Sequence, residues 1–119
     1  MSAATDLRRL LRLIVITRPP APDAAPLASV VGECLEAGCR AIQLRDKTAS
    51  AVDLWRMAAE LVPLVRSYDG LLLINDRLDV ALAARADGVH VGPDDIPVEA
   101  IRRFVPRPFL VGYSTDDPT

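Results

Sequence analysis

Short apolar runs alternate along this chain with longer segments whose apolar residues recur at helical spacing. "LIVIT" (13–17) is a β-branched run, and the Pro-rich loop "RPPAPD" follows it. Residues 26–38 read as a helix. Pro26 suits its start, Val30, Val31, Cys34 and Leu35 form an apolar stripe, and Gly38 can end it. "AIQLR" (41–45) is a second strand. Residues 50–70 read as a second helix, with Ser50 as N-cap and Gly70 as the stop. Leu54, Ala58, Leu61 and Val65 share one face of it, and Pro63 is expected to kink it or split off its last turn. "LLLIN" is a third strand, "DRLDVALAARA" a short helix and "GVHVG" a fourth strand. "PVEAIRRFV" is a further helix and "PFLVGYS" a fifth strand. No element is assigned before Leu13.

The order is βαβαβαβαβ. Strands that alternate with helices predict right-handed crossovers and a parallel sheet in a single α/β domain over residues 1–119. Two architectures share this pattern, the open doubly wound sheet and the closed (β/α)₈ barrel. Both gather function at the C-terminal ends of the strands. The polar residues that end these strands are therefore the candidates.

Composition narrows the partners. The chain has 119 residues, half of them hydrophobic, and a formal charge of −2. It has no basic stripe and few aromatics, which argues against nucleic-acid binding. The apolar run 13–16 is too short for a signal-peptide core or a membrane span, so a cytoplasmic protein without membrane attachment is expected. Cys34 and Cys39 form neither a CxxC pair nor a Cys/His cluster and are expected to be buried free thiols. The basic residues are thirteen arginines and one lysine, Lys47. Gln43, Asn75 and His90 are also the single residues of their types, and the placement of such rare residues is informative.

After strand two, "QLRDK" alternates, so Gln43, Arg45 and Lys47 point one way and Leu44 and Asp46 the other. An amide, a planar guanidinium fork and an ammonium on one side suit an anion with several oxygens. A solvated strand end paired with carboxylates is the competing reading. After strand three, Asp76 could ligate a divalent cation while Asn75 donates to a substrate, or both could cap the next helix. After strand four, Asp94 and Asp95 precede Pro97, where capping is again the alternative. Carboxylates after strands three and four meet on one face of a parallel sheet. With Arg and Lys beside them, they are what a Mg²⁺-diphosphate requires. His90 reads as a packed, hydrogen-bonded histidine. Ser114 could serve a phosphate or cap a helix, and with no base expected beside it, it is not read as a nucleophile. Neither GxGxxG nor GxxxxGK[ST] is present.

The series "QLRDK", "LLINDR", "ADGVHVGPDDIP" and "VGYST" resembles thiamine phosphate synthase and the related thiazole tautomerase. The resemblance implies a TIM-type (β/α)₈ barrel. It also implies a transferase that joins hydroxymethylpyrimidine diphosphate to thiazole phosphate with Mg²⁺, giving thiamine phosphate and diphosphate. Gln43, Arg45 and Lys47 match the pyrimidine-diphosphate motif, Asn75 and Ser114 match substrate contacts, and Asp76 and Asp95 match the Mg²⁺ ligands. The carboxylate after strand four favours synthase over tautomerase. So does Asp116, which stands where both groups commonly have a histidine that is thought catalytic in the tautomerase.

Barrels of this type take about 250 residues, and compact ones about 200. This chain is expected to form about five strands, which cannot close an eight-stranded barrel. In the resembling family, later strands carry thiazole-phosphate contacts, another diphosphate-binding lysine and a Gly-rich phosphate site. A second copy or a companion chain could complete the barrel. A half-barrel that binds a phosphorylated ligand or a partner without catalysis is the alternative.

Overall fold

The structure, a computed structural model, describes residues 3–19 and 23–115. Helices α1 (Ala3–Leu10), α2 (Leu27–Glu36), α3 (Ala51–Arg66), α4 (Leu78–Ala83) and α5 (Val98–Phe104) alternate with strands β1 (Ile14–Ile16), β2 (Ala41–Leu44), β3 (Leu71–Asn75), β4 (Gly88–Val91) and β5 (Leu110–Tyr113). All neighbouring strands pair in parallel, in the order β1-β2-β3-β4-β5. That order never reverses. A doubly wound sheet needs a reversal at its switch point, so the arrangement is the sequential winding of a TIM-type fold.

Sequential right-handed crossovers put α2 to α5 on one face of the sheet. The burial pattern shows it. Ile42, Leu44, Leu72, Ile74, Val89 and Val91 are almost wholly buried against Val31 and Leu35 of α2, Leu54, Ala58, Leu61 and Val65 of α3, Val80 and Ala81 of α4, and Ile101 of α5. Each such aliphatic side chain contributes about 1.5–3 kcal/mol. The opposite face is less covered, with Ile14 37% and Ile16 54% exposed.

Three helices end in the same way. After α2, Cys39 N–H donates to the Cys34 carbonyl and Gly38 N–H to that of Leu35, with Gly38 at φ +109°. The same two bonds close α3 around Asp69 (φ +55°) and α4 around Arg85 (φ +58°). This is the Schellman arrangement, which needs a left-handed residue just past the helix. The stop after α3 is therefore Asp69, one residue before the expected Gly70. Gly70 is small for another reason, because a Cβ there would lie 2.9 Å from the Arg40 carbonyl oxygen.

Helix α3 runs unbroken through Pro63, so its last turn is not split off. Pro63 and Ala59, whose carbonyl loses its donor, are both exposed, and water can satisfy that oxygen. Ser50 caps α3 as expected, accepting from Asp53 N–H at 3.2 Å. Trp55 is 41% exposed and so is not a core residue, whereas Met57 packs partly against the core. Cys39 is buried, Cys34 only half-buried, and both thiols are free. Helix α1 was not expected. Its Leu7 lines a cavity with Leu71 and Leu110, the first residues of β3 and β5, which places α1 at the N-terminal end of the strands. Among the described residues, no helix is long and apolar enough to cross a membrane.

Two substitutions test these packing arguments by urea denaturation. Gly88→Ala drives a Cβ into the Leu110 carbonyl and to 2.8 Å from Leu73 Cδ2, and is expected to cost about 1–3 kcal/mol. Arg85→Gly, at an exposed left-handed position, is expected to gain about 0.5–1 kcal/mol.

Candidate functional site

A cleft of roughly 490 Å³ opens at the C-terminal ends of the strands. Gln43, Arg45, Lys47, Asn75, Asp76, Asp95 and Ser114, the residues singled out in the sequence, all line it. Ile14, Ile16, His90 and Asp94 complete much of its wall. Strand parity explains most of this. Gln43 pairs with Leu73, Asn75 with His90, and His90 with Gly112, so these positions share the face that the helices leave open.

Asp76 breaks the alternation. It follows Asn75, so a continuing strand would aim it at the helices. Instead Asp76 has φ +65°, and Arg77 N–H donates to the Asn75 carbonyl at 2.8 Å. A hydrogen bond spanning one residue at positive φ is the rare, strained form of the γ-turn. Asp76 N–H donates to the His90 carbonyl at 2.8 Å and holds that turn in place. Two consecutive side chains, Asn75 and Asp76, thereby reach one cleft.

The capping alternative fails at both acidic positions. The N-cap of α4 is Arg77 and that of α5 is Pro97, and neither helix has a side-chain cap. Arg77 forms a two-pronged ion pair with Asp79, at 2.7 and 3.0 Å. Asp95 turns back to accept from Gly92 N–H at 2.7 Å.

The cleft is electrostatically unbalanced. Partial burial raises the Asp76 pKa above its ordinary value. A hydrogen bond to the Asp95 carboxylate and repulsion from it raise it further. Lys47 and Arg45 pull the other way, but Lys47 Nζ stands 3.9 Å from Asp76 Oδ2 and is largely exposed. Two facing carboxylates, with Lys47 only loosely paired and Arg45 beside them, suit a divalent ion. Mg²⁺ typically takes one or two carboxylates and fills its shell with water and phosphate oxygens. Among the described residues no group of three or more His, Cys, Asp or Glu forms a metal cage.

One pairing was missed in the sequence. His90 Nε2 is hydrogen-bonded to Ser114 Oγ, so a base does stand beside that serine. His90 is thus hydrogen-bonded, as expected, and also part of the cleft wall. The signal was parity. The β4–β5 register pairs His90 with Gly112, and Ser114, two residues on, lies on the same face. Asp116 lies outside the described residues.

Comparison with known proteins follows the same lines. The family model for thiamine monophosphate synthase matches residues 13–119. The thiamine-phosphate synthase of Methanospirillum hungatei is 41% identical over 102 residues, 86% of this chain and 50% of that protein. That of Chlorobium luteolum is 47% identical over 93 residues, 78% of this chain and 43% of that protein. A solved structure, thiamine phosphate pyrophosphorylase from Pyrococcus furiosus, superposes with a TM-score of 0.81 at 39% identity and covers 92% of this chain and 52% of that one. The chain spans about half the length of the curated relatives it matches.

The raised Asp76 pKa has a stability consequence in the absence of metal. A carboxyl whose pKa rises on folding contributes stability at low pH and loses it as pH climbs through the raised value. Asp76→Asn keeps a polar side chain that tolerates positive φ and removes the repulsion. With a chelator present, this variant is expected to melt above the parent at neutral pH. The difference is expected to vanish below 3.8, the ordinary carboxyl value. Thermal melts across that range check it.

Proposed function

The chain belongs to the thiamine monophosphate synthase family, and from that premise we propose that its cleft is the pyrimidine-diphosphate side of a thiamine phosphate synthase active site. The observation that carries the proposal is convergence. Arg45 and Lys47 meet the facing carboxylates of Asp76 and Asp95 in one cleft at the C-terminal strand ends.

In the proposed reaction the bond between the pyrimidine methylene and the diphosphate oxygen breaks. Diphosphate leaves with the electron pair, and the thiazole nitrogen supplies the pair for the new C–N bond. Arg45 would grip the diphosphate through its planar fork and Lys47 as a point charge. Gln43, Asn75 and Ser114 would orient the substrate by hydrogen bonds, with Ser114 itself held by His90. Asp76 and Asp95 would hold Mg²⁺, which when bound supplies charge neutralisation to the leaving group. The carboxylate pair supports synthase over tautomerase, and Asp116 in place of histidine agrees with that choice. A reaction between small soluble substrates suits the cytoplasm.

The finer reading of the architecture is that β1 to β5 are five consecutive units of a (β/α)₈ barrel. Ile14 and Ile16, exposed on the open face, would then be buried by further strands. A companion segment or a second copy could supply them, together with the thiazole-phosphate contacts.

The test combines binding with reconstitution. The purified chain is titrated with hydroxymethylpyrimidine diphosphate, with and without Mg²⁺. It is then assayed for thiamine phosphate with and without the C-terminal half of the Pyrococcus furiosus relative. Mg²⁺-dependent binding is expected from the chain alone, and turnover only with the added half. Asp76→Asn and Asp95→Asn are each expected to abolish the Mg²⁺-dependent binding and leave the fold intact by circular dichroism. Binding that ignores both Mg²⁺ and these substitutions would refute the assignment.

A further inference from the structure

We infer that Asp46 is a positioning residue, whose carboxylate shapes the loop after β2 so that Lys47 faces a bound diphosphate. The inference rests on the reading of Arg45 and Lys47 as diphosphate ligands. Asp46 is absent from the wall that holds both of its neighbours, because alternation turns it the other way. There a single oxygen, Oδ1, accepts three donors: Thr48 N–H at 3.0 Å, Thr48 Oγ1 at 2.8 Å and Ala49 N–H at 3.1 Å. An aspartate that gathers the amides two and three residues ahead makes a side-chain turn. That turn closes the chain immediately after Lys47.

The chain is anchored before Lys47 as well. Arg45 N–H donates to the buried Thr17 Oγ1 at 3.0 Å, and Thr17 N–H donates to the Gln43 carbonyl at 2.9 Å. Lys47 therefore hangs between two fixed points. Its side chain is 63% exposed, and its ammonium touches Asp76 only at 3.9 Å. So loose an ion pair is a poor guide, and the backbone turn sets the direction of the lysine.

Charge and geometry oppose one another at Asp46, which makes them separable. Its negative charge, adjacent in sequence to both cations, works against a polyanion. Its Oδ1 holds the loop that receives the polyanion. Asn keeps the oxygen without the charge, and Ala removes both.

The experiment titrates inorganic diphosphate, with and without Mg²⁺, into the full chain by calorimetry. The variants are Asp46→Asn, Asp46→Ala, Lys47→Ala and the double variant Asp46→Ala/Lys47→Ala, each with its melting temperature. Asp46→Ala is expected to weaken diphosphate about tenfold. Asp46→Asn should bind at least as tightly as the parent, and Asp46→Ala should weaken binding no further once Lys47 is gone. Tighter binding by both Asp46 variants would make the residue a charge and nothing more. Equal weakening by both, full additivity with Lys47→Ala, or a lower melting temperature at unchanged affinity would each overturn the inference. If Lys47→Ala binds as the parent does, or the parent binds no diphosphate, the reading of the cleft itself fails, and the inference with it.

Discussion

In a parallel sheet wound in strict order, the side to which each residue points follows from one register. Here Ile42 lies beside Leu72, Gln43 beside Leu73 and Leu73 beside Gly88, so the residues of each layer point to one face of the sheet. A slip of one residue in β2 would push Gln43 and Arg45 among the helices and bring Ile42 and Leu44 into the open. What forbids the slip is the apolar layer under α2 to α5, where each buried aliphatic contributes about 1.5–3 kcal/mol. The polar wall of the cleft is thus placed largely by a core on the other face of the sheet.

The cleft draws on that stability. Asp76 sits in a strained turn, and its carboxyl faces another of the same charge. Neither arrangement favours the fold by itself, and both suit an ion that joins the two carboxylates to a phosphate. The strain has a geometric use. The left-handed turn lets two adjacent residues of this strand end, Asn75 and Asp76, enter the same cleft.

Much of this was legible in the sequence because burial leaves long-lived patterns there. "LLLIN" reads as β3 without error, since a strand covered on one side and packed on the other tolerates few polar residues. Gln43, Arg45 and Lys47 were placed on one side by alternation alone. Three things were not legible. Whether Asp76 caps the next helix or faces the cleft depended on a backbone angle, which residue type does not specify. The partnership of His90 with Ser114 depended on the pairing of two strands with a helix between them. Helix α1 left only a turn or so of apolar spacing, and its place depends on strands far along the chain. Local propensity also left open that Pro63 splits off the last turn of α3, because it could not tell that the proline lies on the wet side of that helix.

Gly112 carries a last consequence. The position its Cβ would take is occupied by the His90 ring, so the glycine serves as a socket rather than as a hinge. The two positions therefore form one volume shared between neighbouring strands. Any homologue that enlarges residue 112 must shrink or swing residue 90, and with it the partner of Ser114. Covariation between these two strands would then trace the filling of a shared space, and an alignment should show the exchange as paired changes of size rather than of charge.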